Sequence, residues 1–184
     1  MHGFEKPGEQ NTGGVLKHVR ERGDELGIKT CLVATTRGKT ALAAAKVLEG
    51  FDIIAVTHCT GFTRPDFQEM ADGTRGQIEA LGIKVLTATH AFGTIGRAIR
   101  KKFKTVQVDE IAANVLRRFG EGTKVAVEIA MMAADAGLVR TDADVISIGG
   151  TALGADTAII LRPVNSHALF DLRIREIICK PFDF

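Results

Sequence analysis

The sequence contains no tryptophan and no tyrosine among its 184 residues, and it has only three cysteines. Cys31, Cys59 and Cys179 are far apart and form no C-x-x-C pair, so their spacing predicts neither a disulfide framework nor a zinc site. This cysteine usage is typical of a reducing cytosol. Without tryptophan and tyrosine, a flat aromatic ligand would have to rest on phenylalanine, histidine or aliphatic side chains.

The sequence also lacks a strong charge imbalance and a long apolar run. Its 24 basic and 22 acidic residues give a net charge of +2, so nucleic acid is not an expected partner. The longest nearly apolar stretch, 125–139, is interrupted by Glu128 and Asp135, and the N-terminus MHGFEKPGEQNTGG has no apolar signal core. We therefore expect a cytoplasmic protein without a membrane span, folded as a single domain over residues 1–184.

The remaining sequence alternates short apolar runs with helical patterns, which predicts a three-layer α/β/α fold with a mostly parallel sheet. Buried strands are predicted at 31–34, 52–57, 84–88 and 145–148. Helices are predicted at 13–26 with Thr12 as N-cap, and at 39–48, 75–81, 94–104, 109–118 and 123–136. A strand at 158–161 follows a loop too short for a helical crossover and is expected to be an antiparallel edge strand. The alternating apolar residues of the tail are compatible with a further edge strand.

Polar loops follow four of these predicted strands, and parallel strands place their carboxyl ends at one edge of a sheet. The loops are TTRGKT at 35–40, HCTG at 58–61, THAFG at 89–93 and GGT at 149–151. The first combines hydroxyls, a lysine and the N-terminus of a predicted helix, which favours a bound phosphate. The candidate ligand-binding residues are Thr35, Thr36, Arg37, Gly38, Lys39, Thr40, Thr57, His58, Gly61, His90, Gly149, Gly150, Thr151 and Asp156.

Other interpretations of these residues stay open. Gly-Lys-Thr at 38–40 could end a P-loop, but that motif needs a glycine at position 33, where Val33 stands. Thr36 could simply cap a helix while Lys39 is a solvated charge. His58 and His90 have no carboxylate at ligand spacing, so no metal site is predicted.

Two further features lie outside the strand-end loops. Glu128 stands in an apolar helix and is expected to be a satisfied buried acid rather than a catalytic base. The basic amphipathic segment 94–104 is expected to be a solvated helix face, with subunit contact in a homo-oligomer as an alternative.

Two blocks of the sequence carry a resemblance. CLVATTRGKTALAAAKVLEGFDIIAVTH and VEIAMMAADAGLVRTDADVISIGGTALGADTAIILRP resemble, in this order, the beginning and the end of the C-terminal domain of pyruvate kinase. They span most of residues 13–164, whereas the segments 58–74, 89–122 and 165–184 are additional to that domain. The resemblance implies that the turn at 35–40 holds a phosphate, as it does for a sugar bisphosphate effector, with the loop 149–156 opposite.

The same resemblance bears on activity and cofactor. A pyruvate kinase barrel needs roughly 250 residues, and only about a dozen precede the first predicted helix, so pyruvate kinase activity is not expected. The chain is most similar to stand-alone, mainly archaeal proteins made of this domain, which implies bound FMN with Phe62 and Phe92 beside its ring. Flavin-dependent catalysis stays open. The alternative is a regulatory or assembly module that binds a phosphorylated metabolite without catalysis.

Overall fold

Seven strands form a single sheet in the computed structural model, which describes residues Met1–Phe184. The strands are β1 (His2–Phe4), β2 (Thr30–Ala34), β3 (Asp52–Thr57), β4 (Lys84–Thr87), β5 (Val145–Gly149), β6 (Thr157–Arg162) and β7 (Arg173–Pro181). Their order is β1-β7-β6-β5-β2-β3-β4. Only β6 runs antiparallel to its neighbours, β5 and β7, while the other pairings are parallel. The mostly parallel sheet with an antiparallel strand toward one side confirms the predicted fold class.

Helices cover both faces of this sheet. They are α1 (Thr12–Leu26), α2 (Lys39–Val47), α3 (Asp72–Ala80), α4 (Ile95–Phe103), α5 (Val108–Leu116) and α6 (Glu121–Asp135). Short 3-10 turns stand at Glu9–Asn11, Arg117–Phe119 and Ser166–Asp171. None of the helices combines the length and the apolar character needed to cross a membrane.

The core lies in two layers because successive side chains of a strand point to opposite faces. In β2, Cys31 and Val33 pack with α1, α2 and α3, whereas Leu32 packs with α6 on the other face. Twelve of the fifteen residues of α6 are buried, as its nearly uniform apolar pattern predicts. Val33 has no exposed surface, so the Gly-Lys-Thr at 38–40 follows a buried strand and lacks the glycine-started curl of a P-loop.

The structure differs from the sequence-based prediction at a few element ends. The strand β1 was not predicted; it pairs with β7, His2 lying opposite Cys179. The helix α3 begins at Asp72, three residues before the predicted start. Thr12 is the first residue of α1 instead of its N-cap, and its hydroxyl donates to the Glu9 carbonyl (2.7 Å) and accepts from the Ala155 amide (3.0 Å).

Candidate functional site

A cavity of about 490 Å³ lies at the carboxyl edge of the sheet. The ends of β2 and β3, the turn before α2, the glycine-rich loop after β5 and one side of α6 surround it. Both α2 and α6 begin at this edge, because a helix connecting parallel strands runs opposite to them. The cavity therefore receives two helix N-termini as well as the strand-end loops.

Of the fourteen sequence-predicted residues, eight line this cavity: Thr35, Thr36, Arg37, Lys39, Thr57, His58, His90 and Gly150. The other six do not: Gly38, Thr40, Gly61, Gly149, Thr151 and Asp156. The rule that loops gather at the carboxyl ends of parallel strands thus brings most of the predicted residues together. It does not indicate which residues within each loop line the cavity.

The turn between β2 and α2 is fixed by its own hydrogen bonds. The buried hydroxyl of Thr35 accepts from the Gly38 amide at 3.1 Å, which closes the turn immediately before α2. Gly38 has a φ of 92°, and a Cβ at this position would stand 2.4 Å from Cγ2 of Thr74. Gly38 therefore serves the backbone of the turn, while Thr36, Arg37 and Lys39 line the cavity.

The opposite wall is the glycine-rich loop, which Asp156 holds in place. This fully buried carboxylate accepts hydrogen bonds from the Gly8 amide (3.1 Å), the Thr151 amide (3.0 Å) and the Thr157 hydroxyl (2.7 Å). Asp156 was predicted to bind ligand, but its hydrogen bonds go to the protein. It ties the loop to the N-terminal segment, and Glu9 of that segment reaches the cavity and pairs with Lys39.

An aromatic cluster forms another part of the cavity wall. The ring centroids of His58 and His90 lie 4.2 Å and 5.0 Å from that of Phe62, and the two imidazoles are 5.4 Å apart. Nδ1 of His58 lies 2.7 Å from a carboxylate oxygen of Glu69. Phe92, which was expected to flank a ring, is instead buried in the core and does not line the cavity.

His90 is held as a neutral imidazole. Its pKa is lowered to about 4, chiefly by burial; Glu128 opposes this shift, and the nearby groups of His58, Lys124 and Arg97 add to it. Its Nε2 accepts a hydrogen bond from the Cys59 amide at 3.2 Å. The proton of the neutral ring is therefore on Nδ1.

The side of α6 facing the cavity was not predicted as part of the site. Lys124 and Glu128 form a buried ion pair at 2.5 Å, and Glu128 also accepts from the Phe92 amide at 2.9 Å. This environment confirms Glu128 as a satisfied buried acid. An apolar stripe beside the pair consists of Val125, Ile129 and Met132. The spacing of these residues by four and three positions was the only sequence signal for a wall of this kind.

The sequence matches a known protein family. The family model described as the pyruvate kinase alpha/beta domain matches residues 14–161, most of the chain. The chain belongs to the pyruvate kinase alpha/beta domain family. Of all the residues that line the cavity, only Glu9 lies outside the matched range. Membership of the pyruvate kinase alpha/beta domain family supports a role in small-molecule binding or regulation.

In this pyruvate kinase alpha/beta domain, cations outnumber anions around the cavity by five to three. Each carboxylate has its own cation: Glu9 pairs with Lys39, Glu121 with Arg117 and Glu128 with Lys124. Two guanidinium groups, those of Arg37 and Arg97, line the cavity without a carboxylate partner. The arrangement is suited to an anionic ligand.

Proposed function

We propose that this protein binds a small molecule carrying both a phosphate group and a flat ring system, and that the ligand is FMN. One observation carries the proposal. The same cavity contains a helix N-terminal turn rich in hydroxyls and cations and, elsewhere on its wall, an aromatic and aliphatic surface. A phosphate monoester attached to a ring by a flexible chain could place its phosphate at the turn and its ring against the aromatic and aliphatic surface.

The phosphate would bind at the turn that precedes α2. The first amides of a helix have no partner within the helix, and they carry the positive end of its dipole. Thr36, Arg37 and Lys39 add a hydroxyl and two cations at the same place. A phosphate monoester could therefore receive backbone, hydroxyl and charge-assisted hydrogen bonds together.

The ring would lie between the aromatic cluster and α6. Phe62 and His90 line one side of this space as a packed aromatic pair, and Val125, Ile129 and Met132 line another with aliphatic side chains. A cavity of about 490 Å³ falls within the usual size of small-molecule sites, roughly 300–1,000 Å³. FMN, when bound, would supply electron or hydride transfer. The residues around it would bind the ligand, orient it and exclude water.

The test is a comparison of FMN with riboflavin, which has the same ring and side chain but no phosphate. Purified protein should show flavin absorbance, and fluorescence titration of the apoprotein should give tighter binding of FMN than of riboflavin. Charge-assisted hydrogen bonds contribute about 1.5–3 kcal/mol each, so one such bond corresponds to a difference of roughly tenfold or more. Absence of bound flavin, together with no response to FMN, would show that FMN is not the ligand.

Glu9 provides a sharper version of this test. Its carboxylate pairs with Lys39 at the mouth of the turn, so a phosphate must compete with it for that lysine. Exposed ion pairs contribute roughly 0.2–1 kcal/mol. Glu9→Gln should therefore tighten FMN binding up to about fivefold and leave riboflavin binding unchanged. Equal tightening of both ligands would contradict the assignment of the phosphate to the turn.

A second candidate function is a regulatory or assembly module that binds a phosphorylated metabolite without catalysis. The observation favouring it is the apolar surface of α4 and α5, where Ile95, Phe103, Val108, Ile111 and Val115 are all exposed. Five exposed apolar side chains on two consecutive helices differ from the single, scattered apolar residues that are normal on a protein surface.

The assembly function predicts self-association through α4. Charge substitution of Ile95, Ile99 and Phe103 should reduce the molar mass measured by light scattering while ligand binding persists. Phe170→Glu, at an exposed site in the turn Ser166–Asp171, is the matched control and should leave the mass unchanged. A wild-type protein that is monomeric at all concentrations would contradict this function. Thermal shifts with a sugar bisphosphate but not with FMN would favour it over flavin binding.

A further inference from the structure

We propose that Arg97 and His90 form a hydrogen-bond-donating subsite for the electron-rich edge of the ligand's ring, a subsite distinct from the phosphate turn. This inference rests on the proposed binding of a flavin. It identifies the part of the ring that the cavity recognises. The edge in question is one on which carbonyl oxygens and unprotonated ring nitrogens stand side by side.

His90 contributes a donor with a fixed position. Its Nε2 is already occupied by the Cys59 amide, and its Nδ1 hydrogen has no acceptor in the protein. His90 is 8 % exposed and lines the cavity, with its ring packed against Phe62 at a centroid distance of 5.0 Å. A neutral imidazole fixed in this tautomer presents one N–H donor and no acceptor to a ligand.

Arg97 contributes the charge. Its guanidinium carbon lies 4.9 Å from the centroid of the Phe62 ring, and the side chain also packs on Gly93, where a Cβ would stand 3.1 Å from Nη2. The group has no carboxylate partner, whereas Lys39, Arg117 and Lys124 are each paired with a glutamate. A stacked, half-buried guanidinium has its donors available for acceptors in one plane.

Together, Arg97 and His90 would distinguish ligand rings by the charge and acceptors on their edge as well as by their shape. A flavin places N1 and the C2 carbonyl on one edge, and two-electron reduction with uptake of one proton leaves a negative charge there. An unpaired guanidinium beside this edge favours the reduced, anionic ring over the oxidised, neutral one. The subsite should therefore strengthen binding of both flavins and raise the reduction potential of the bound flavin.

The experiment compares Arg97→Met with Arg37→Met, because the two unpaired guanidiniums are assigned to different parts of the ligand. Arg97→Met should weaken FMN and riboflavin by the same factor, roughly tenfold or more, and Arg97→Lys should restore part of the loss. Arg37→Met should weaken FMN alone. Lys101→Met, on the exposed side of the same helix and away from the cavity, should change neither affinity.

The reduction potential provides a readout that a purely structural role would not change. Dithionite supplies the electrons in a titration of the flavin-loaded protein against a reference dye, and Arg97→Met should make the potential more negative than in the wild type. Unchanged riboflavin affinity and unchanged potential in Arg97→Met, in a protein that still binds flavin, would overturn the subsite alone. A wild-type protein that binds neither flavin would overturn the proposed function and the subsite together.

Discussion

The buried imidazole of His90 should make the stability of the fold depend on pH between about 4 and 6.5. In the unfolded chain an exposed histidine has its ordinary pKa of 6.5, whereas burial lowers the pKa of His90 in the folded protein to about 4. Within this window the unfolded chain binds a proton that the folded protein does not. The free energy of unfolding therefore rises with pH through the window and falls as the solution becomes more acidic.

The size of the effect follows from the difference between the two pKa values. Each pKa unit corresponds to 1.36 kcal/mol, so a difference of about 2.5 units amounts to about 3 kcal/mol. His90 is 8 % exposed, so solvent screens little of this cost. Since small domains have a total stability of about 5–15 kcal/mol, the loss on acidification is a substantial fraction.

Carboxylates affect a different range of pH. The pKa values of Asp24 and Asp142 lie below the ordinary 3.8 because of hydrogen bonds from nearby cations, and for Asp135 burial raises the pKa but hydrogen bonds from nearby groups lower it by more. The stability that these groups contribute is present above their unfolded pKa and is lost only as the pH falls below it. Above about pH 5 these carboxylates are ionised in both states, so the slope there reports the histidine.

Urea denaturation at half-unit pH steps from 4 to 7.5 measures this dependence. In His90→Gln, the side-chain oxygen can replace Nε2 as acceptor for the Cys59 amide, but the side chain cannot titrate in this range. We expect the variant to lose most of the pH dependence that the wild type shows. His167→Gln, at an exposed position, is the matched control and should keep it. A His90→Gln protein with the same slope as the wild type would refute the reasoning.

Two further substitutions test the walls of the cavity by urea denaturation. Glu128→Gln keeps an acceptor for the backbone but leaves the buried ammonium of Lys124 without its carboxylate, so a loss of about 3–5 kcal/mol is expected; a loss below about 1 kcal/mol would contradict this account. Gly154→Ala places a Cβ 2.6 Å from the Cα of Glu9 at a φ of 70°, whereas Gly50→Ala has a similar φ of 81° but open space around it. The control should cost about 1–2 kcal/mol, the value for left-handed backbone alone, and Gly154→Ala should cost more; equal losses would show that the contact with Glu9 is unimportant.

The sequence predicted most of the fold because the signals for these elements are local. The strands β2 and β3 are continuous apolar runs between loops, and α6 is apolar on nearly every side. All three elements can therefore be predicted from their own residues. The strand β1 is only three residues long, and it exists because His2 lies opposite Cys179 on β7. The two paired residues lie at opposite ends of the chain, so local sequence patterns could not predict this strand.

The residues of the candidate site also differ in whether the sequence could predict them. Thr35, Thr36 and Lys39 could be identified because a parallel sheet places the residues after its strands at one edge. Arg97 could not, since its position depends on how the long connection after β4 folds back over Phe62. The hydrogen bonds of Asp156 could not be predicted, because a carboxylate in a glycine-rich loop can accept either from a ligand or from nearby amides, and only the folded chain shows that the Gly8 and Thr151 amides donate to it.

The two halves of the cavity therefore come from different parts of the sequence. The turn at 35–40 lies within the first block that resembles pyruvate kinase, whereas Phe62, His90 and Arg97 lie between the two blocks, although the family model matches the whole range 14–161. A turn that receives a phosphate is compatible with many ligands, because the rest of the molecule does not contact it. In the proposed binding mode, the ring would be selected by the residues of the segments 58–74 and 89–122. Exchanging the residues of these segments, while keeping the turn, should change which phosphorylated molecule binds without abolishing phosphate binding.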